Sequence, residues 1–322
     1  MNSVSKIIVT DIGGTFVRFG VAEDGQITAI EKYEVMDFET FESALDHYVR
    51  EAGVPDVKAL RIATAGYEDQ GVWRFVNVNP WRIDPVRLAA QGWRIECILN
   101  DFEAATWGVL GLEAGDVIPL NGAKAGAGQT CCLLGPGTGL GLGYLVRTGH
   151  PFVQKTHGGH VPVSCVSAEQ WDIVARIASA EGRCLESGIV FETLVSGAGL
   201  YRIYQAVCAR AGLSVLVSAP EMLLESADME EVREALRLFH EFLGLFAAQA
   251  VVTGHAYGGV YLTGGVLDRL VAAGLFDDRA FKKYFILEGQ VSSVKRDLQA
   301  TPVLYVAKPY LALHGLMEAA HA

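Results

Sequence analysis

The chain has 322 residues, 51% of them hydrophobic and 20% charged, which excludes a disordered chain and supplies a full core for one or two domains, with two favoured. Lys and Arg total 26 against 37 Asp and Glu, and the resulting net charge of −11 argues against nucleic acid and anionic membrane surfaces as partners. Any phosphate it binds must be held by local groups and not by a general positive field.

Residues 6–12 form an apolar run that reads as a buried strand, with no signal-peptide pattern ahead of it. Gly13 and Gly14 turn the chain; 16–22 returns as a second strand and 27–33 reads as a third. Phe41, Leu45, Tyr48 and Val49 recur at helical spacing and predict a helix over 38–51. A strand follows over 57–65, a helix over 83–91 and a strand over 95–99. Asn100 and Asp101 stand at the carboxyl end of that strand, and a helix is expected from Asp101. This order predicts a mixed sheet with helices on it, an α/β layer architecture.

The second half repeats the theme. A strand over 130–134 runs into a glycine turn at 135–139 and returns over 140–146. Helices are predicted over 167–180, 187–194, 198–211 and 229–252, the last striped by Val232, Leu236, Phe239, Leu243, Phe246 and Ala250. Residues 260–263 form a strand ending at Gly264 and Gly265, before another helix; 302–306 is a last short strand and 310–320 a terminal helix. The longest apolar stretch, 243–252, is interrupted by Gln249 and is too short to span a membrane. The six cysteines form no C-x-x-C pair and read as free core thiols, so a cytoplasmic location is expected.

The 36 glycines cluster where function is expected. Gly-rich turns expose backbone N–H groups that can cradle phosphate oxygens, although any tight hairpin also needs Gly. Here two similar turns, Asp11-Ile12-Gly13-Gly14-Thr15 and Gly135-Pro136-Gly137-Thr138-Gly139-Leu140-Gly141, each sit between apolar strands. No G-x-x-x-x-G-K-[ST] occurs, and the glycines of 135–143 alternate and enter a strand, which disfavours a dinucleotide-binding fingerprint. Two hairpins clamping a nucleotide fit better.

Six motifs in order carry a resemblance: the first turn, Leu99-Asn100-Asp101-Phe102-Glu103-Ala104, the second turn, His157-Gly158-Gly159-His160, Glu192-Thr193-Leu194-Val195-Ser196-Gly197 and Leu262-Thr263-Gly264-Gly265. Together they resemble the bacterial glucokinase family. The resemblance implies a two-domain actin-like ATPase (ribonuclease H-like) fold with sugar and ATP in a cleft between lobes. The lobes are expected at 1–108 plus 305–322, with the terminal helix returning to the first lobe, and at 109–304. It implies transfer of the ATP γ-phosphate to the 6-hydroxyl of a hexose, glucose first, with Mg²⁺ accompanying ATP, and it is compatible with a homodimer.

The resemblance makes Asp101 the base that accepts the hydroxyl proton. Its place at a strand end and helix start suits an ionised carboxylate, and it equally suits a plain helix cap. Asn100, His160 and Glu192 correspond to sugar-binding positions, as does His157. Asp11 would hold Mg²⁺ through water. Thr10, Asp11, Ile12, Gly13, Gly14 and Thr15, with Gly135, Gly137, Thr138 and Gly139, would surround the phosphates, and Gly264 and Gly265 the adenosine. Two positions depart from the family. His157 stands where a Glu is usual, and a neutral imidazole accepts one hydrogen bond and donates one, where a carboxylate only accepts. Phe16 stands where Asn is usual. Both leave the sugar's identity open: a kinase for another sugar or sugar derivative, and a non-catalytic sugar or nucleotide sensor, remain the alternatives. A zinc site at His150, His157 and His160 has no partner fixed by sequence, and no recognition helix precedes the first strand to suggest a repressor.

Overall fold

A computed structural model describes residues 6–75, 78–121, 129–184, 186 and 188–319. The chain divides into two units, Met1–Leu112 with Lys308–Ala322, and Glu113–Ala307.

In the first unit, β1 (Ile7–Ile12), β2 (Phe16–Glu23) and β3 (Gln26–Glu34) form an antiparallel meander. Helix α1 (Phe41–Glu51) follows. It starts later than the expected 38 because Thr40 is extended and caps it, its hydroxyl accepting from Ser43 N–H at 3.1 Å. The face predicted from spacing is the buried one: Phe19 stacks on Tyr48 at 4.9 Å between ring centroids, and Phe41, Leu45 and Tyr48 are fully buried. Each such side chain contributes roughly 1.5–3 kcal/mol by leaving water. Strand β4 (Ala59–Thr64), buried throughout, runs parallel to β1. A small sheet absent from the sequence reading follows: β5 (Tyr67–Asp69), β6 (Val72–Arg74) and β7 (Arg82–Ile83). Ile83 belongs to β7, so α2 (Pro85–Ala90) begins at Pro85 with Asp84 as its cap. Strand β8 (Arg94–Asn100) runs parallel to β4 and leads directly into α3 (Asp101–Gly108). The sheet order is β3-β2-β1-β4-β8.

The second unit holds β9 (Val117–Pro119), β10 (Cys131–Pro136), β11 (Leu140–Val146), β12 (Phe152–Lys155), α4 (Ala168–Ala180), α5 (Phe191–Leu194), α6 (Gly197–Ala211), α7 (Glu230–Gly254), β13 (Val260–Leu262), α8 (Gly265–Ala272), α9 (Asp278–Phe285), α10 (Ser292–Ala300) and β14 (Val303–Val306). Its sheet order is β12-β11-β10-β13-β14-β9. The expected 187–194 helix is reduced to α5 because Val190 is extended and bridges to Pro162; Ser187 lies outside the described residues. Helix α7 is 25 residues long and apolar enough by length and composition to cross a membrane, which the short-stretch reading did not anticipate. Instead it forms the core of this unit: Phe239, Phe242, Leu243 and Phe246 are at most 2% exposed.

The last helix, α11 (Leu311–Glu318), belongs to the first unit and packs along α3. A Cβ on Gly315 would overlap Ala104 O, so a glycine is required at the crossing. Ala320, the expected end of this helix, lies outside the described residues. The expected lobe boundary at 304/305 would cut β14, which is paired with β13 and β9. The division falls after Ala307, whose N–H donates to Asp116 O at 2.8 Å. At the other crossing the first unit runs on past α3 to Leu112, beyond the expected 108.

Candidate functional site

In the first unit, the site residues gather at the carboxyl ends of parallel strands, where α/β sheets bind ligands. Asp11 is the penultimate residue of β1. Opposite it in β2 stands Arg18, whose guanidinium donates to Asp11 Oδ2 at 3.1 Å. Burial pushes the Asp11 carboxyl up to about 6, Arg18 opposes this, and the nearby Asp101 charge adds to it. The turn itself is tight: Gly13 N–H donates to Phe16 O at 2.9 Å, and Gly13 O accepts from Asn79 Nδ2 at 2.9 Å. Thr15 is exposed at the tip, with Gly14 beside it. Thr10 and Ile12 are fully buried, which limits them to supporting Asp11. The Thr10 hydroxyl is buried without a hydrogen-bond partner. Phe16, the departure from the family pattern, carries Lys32 Nζ 3.5 Å from its ring centroid.

Asn100 ends β8 and caps α3, its Oδ1 accepting from Phe102 N–H at 3.0 Å and Glu103 N–H at 3.3 Å. Asp101 is the first residue of α3, and its Oδ1 accepts from Phe102 N–H at 2.8 Å. Burial raises the Asp101 carboxyl above its ordinary range, while the Phe102 N–H and the Asn100 side chain pull the other way. Two carboxylates, Asp11 and Asp101, thus share one electrostatic environment.

In the second unit, Gly135 and Pro136 lie within β10, and the exposed Thr138 tips the turn between Gly137 and Gly139. Gly137 N–H donates to Gly139 O at 2.8 Å, and Gly137 O accepts from Gly197 N–H, at the start of α6, at 2.9 Å. Glu192, on α5, reaches back to this hairpin: its Oε2 accepts from Leu140 N–H at 2.8 Å. A Cβ on Gly139 would come within 2.6 Å of that same oxygen. The other carboxylate oxygen of Glu192 lies 4.0 Å from His160 Nε2, and the His157 and His160 rings are 6.4 Å apart. Both histidines are exposed. Gly264 adopts φ +105° and passes over Pro136 O, where a Cβ would come within 2.7 Å; Gly265 opens α8 with free space at its Cβ position. Glu192, His157, His160, Gly264 and Gly265 therefore surround one hairpin of one unit.

Sequence reasoning passed over Arg18 and Asn79. Arg18 was available from the hairpin itself, because residues equidistant from a tight turn face each other across the strands. Asn79 reaches Gly13 from 66 residues away in the chain, and no local pattern marks it. Among the described residues no group of three or more His, Cys, Asp or Glu side chains is arranged to hold a metal ion.

A family model described as Glucokinase matches residues 8–322. A glucokinase of Marinobacter nauticus is 31% identical, over 97% of this chain and 96% of its own. Among solved structures, a glucokinase from an Antarctic psychrotroph superposes with a TM-score of 0.84 at 24% identity, covering 98% of this chain and 99% of that one. A glucokinase from Balamuthia mandrillaris in complex with glucose gives a TM-score of 0.78 at 22% identity, covering 99% and 94%. These likenesses show an actin-like ATPase fold.

Proposed function

We propose how this site works from one premise: the chain belongs to the glucokinase family. It is an ATP-dependent sugar kinase, and its reaction is phosphorylation of glucose by ATP. Asp101 is the general base. It accepts the proton of the sugar's 6-hydroxyl while that oxygen bonds to the γ-phosphorus, and the bond from the γ-phosphorus to the bridging oxygen breaks to leave ADP. The helix start at Asp101 favours its ionised form, and burial lifts its basicity toward the working pH. Asn100 and Glu192 orient the sugar hydroxyls, with His157 and His160 as further donors and acceptors.

Asp11 offers hard oxygen donors from a side chain 19% exposed, steadied by Arg18. These hard oxygen donors fit Mg²⁺, which Asp11 would hold with the help of water. When bound, Mg²⁺ would neutralise charge on the β- and γ-phosphates. With Gly13 N–H and Gly137 N–H engaged inside their turns, the N–H groups of Gly14 and Thr15 in the first unit, and of Thr138 and Gly139 in the second, would donate to phosphate oxygens, and Gly264 and Gly265 would let adenosine lie close to the backbone. Local donors of this kind serve an acidic chain, which lacks a broad positive field. ATP supply and cysteines that form no disulfide among the described residues suit the cytoplasm.

The carrying observation is that Asp11 and Asp101 stand at the carboxyl ends of β1 and β8 in one sheet, each raised by burial and Asp11 also by the charge of Asp101. A coupled assay over a panel of hexoses with Mg-ATP tests the reading, with glucose expected to be the best acceptor. Folded protein that phosphorylates no sugar would defeat it. A clear preference for another hexose would transfer specificity to His157.

A further inference from the structure

The strand that delivers Asn100 and Asp101 does not keep one phase. Between β4 and β8 the pairing is Ala59 with Arg94 and Leu60 with Ile95, then Arg61 with Cys97 and onward to Thr64 with Asn100. One residue of β8, Glu96, is therefore extra. Packing records the shift independently. Ile95 and Ile98, three residues apart, both pack against the core containing Ile8, Phe19 and Tyr48. Cys97 and Leu99 pack on the opposite side, with Val9, Ala63, Ala104 and Leu313. In a regular strand positions 95 and 98 face opposite ways, since side chains alternate with period two. Bulges between parallel strands are rare, and bulges beside active sites re-aim side chains.

The extra residue is firmly held. Two N–H groups of Arg61, on β4, converge on Glu96 Oε2 at 2.8 and 2.7 Å, and Arg94 reaches the other oxygen at 2.8 Å. Arg61 is only 8% exposed. Its remaining donor caps the end of α11, giving 2.9 Å to Leu316 O and 3.4 Å to Met317 O. Helix α11 is packed along α3, the helix that begins with Asp101. One guanidinium thus ties the bulge, the neighbouring strand and the helix backing Asp101.

We propose that Arg61 and Glu96 are positioning residues for catalysis: the Arg61–Glu96 contact fixes the β8 bulge, and the bulge sets the phase in which Asn100 and Asp101 reach the substrate. This rests on the reading of Asp101 as the base. Neither residue touches substrate; both act through β8. A side chain pair that served stability alone would change melting but not turnover per folded molecule.

The test uses full-length protein with glucose and Mg-ATP, with the folded fraction set by urea titration. Glu96→Gln and the milder Arg61→Lys are each expected to lower kcat by about tenfold to about a hundredfold, since small misplacements of a reacting group carry losses of that size. The KM for Mg-ATP is expected to stay within about twofold, because the phosphate turns are not part of β8. In an Asp101→Asn background Glu96→Gln is expected to lower turnover no further, as required of a residue acting through Asp101. Unchanged kcat in both single variants would overturn the proposal, as would a full multiplicative loss on top of Asp101→Asn. If Glu96→Gln fails to fold, Arg61→Lys carries the same comparisons. Full turnover in Asp101→Asn alone would overturn both this proposal and the role of Asp101. Loss at Asp101→Asn with none at Glu96 or Arg61 would overturn the bulge alone.

Discussion

The two central sheets are built to one plan and loaded differently. In each, an antiparallel meander of three strands is followed by two parallel strands, giving β3-β2-β1-β4-β8 in one unit and β12-β11-β10-β13-β14 in the other, where β9 adds a sixth, antiparallel strand. In each, the first hairpin is the glycine turn. The first turn sits beside ionisable side chains: Asp11 is paired with Arg18, and β8 ends directly before Asp101, the first residue of α3. The second turn is surrounded mainly by backbone groups, the start of α6 at Gly197 and the close pass of Gly264, with the Glu192 carboxylate tethered to it through Leu140 N–H. A shared scaffold can fix where ligands are met and leave the chemistry to a few side chains at strand ends.

If the first sheet carries the proton chemistry, the largest effect must come from its strand-end carboxylate. Asp101→Ala is expected to lower kcat with glucose by at least about 10²-fold, the lower range for loss of a general base. Burial disfavours the ionised Asp101 carboxylate, which offsets loss of the hydrogen bond from Phe102 N–H, so the melting temperature is expected to stay near that of the parent. Steady-state kinetics beside a thermal melt check both points, and retained turnover would erase the distinction between the sheets.

Asp11 gives a smaller effect with a pH signature. Its carboxyl is raised from 3.8 to about 6 by burial. A group raised in the folded state contributes stability that is fully present below pH 3.8 and is lost as pH rises through about 6. Above that range the folded protein carries a buried charge that costs up to about 3 kcal/mol. Asp11→Asn is therefore expected to be more stable than the parent at pH 8 and to converge with it near pH 4, while losing activity with Mg-ATP. Urea denaturation across that pH range measures the first effect. A stability difference independent of pH would show that Asp11 is not held in the raised state.

Much of this layout was legible in the sequence, for a definite reason. The hairpins show because apolar runs flank glycine turns, and α1 and α7 show because their buried residues recur at helical spacing. What stayed hidden depends on distant or irregular pairing. A run such as Ile95-Glu96-Cys97-Ile98-Leu99 reads as one strand with or without a bulge, because the bulge exists only relative to β4. The tie of Glu192 to Leu140 and of Asn79 to Gly13 are long-range contacts with no local mark. Strands β5 to β7 escaped because they are two or three residues long, and α9 and α10 because they are only eight and nine residues long, although α9 buries Ala280, Phe281, Tyr284 and Phe285 at helical spacing.

The second turn yields the smallest and most discriminating prediction. Gly137 and Gly139 flank the same exposed Thr138, yet their surroundings differ. A Cβ at 137 meets nothing within 4 Å, whereas a Cβ at 139 falls 2.6 Å from Glu192 Oε2. Gly139→Ala must push Glu192 off Leu140 N–H and is expected to cost about 1 kcal/mol of stability, the worth of one hydrogen bond. The sugar KM should rise with it, because Glu192 is displaced from its place beside His160. Gly137→Ala is expected to leave stability unchanged and to raise the KM for Mg-ATP, since an added methyl there obstructs only a ligand approaching the backbone. Equal behaviour of the two variants, in melts and in both KM values, would mean that the turn is a plain hairpin whose glycines serve folding alone.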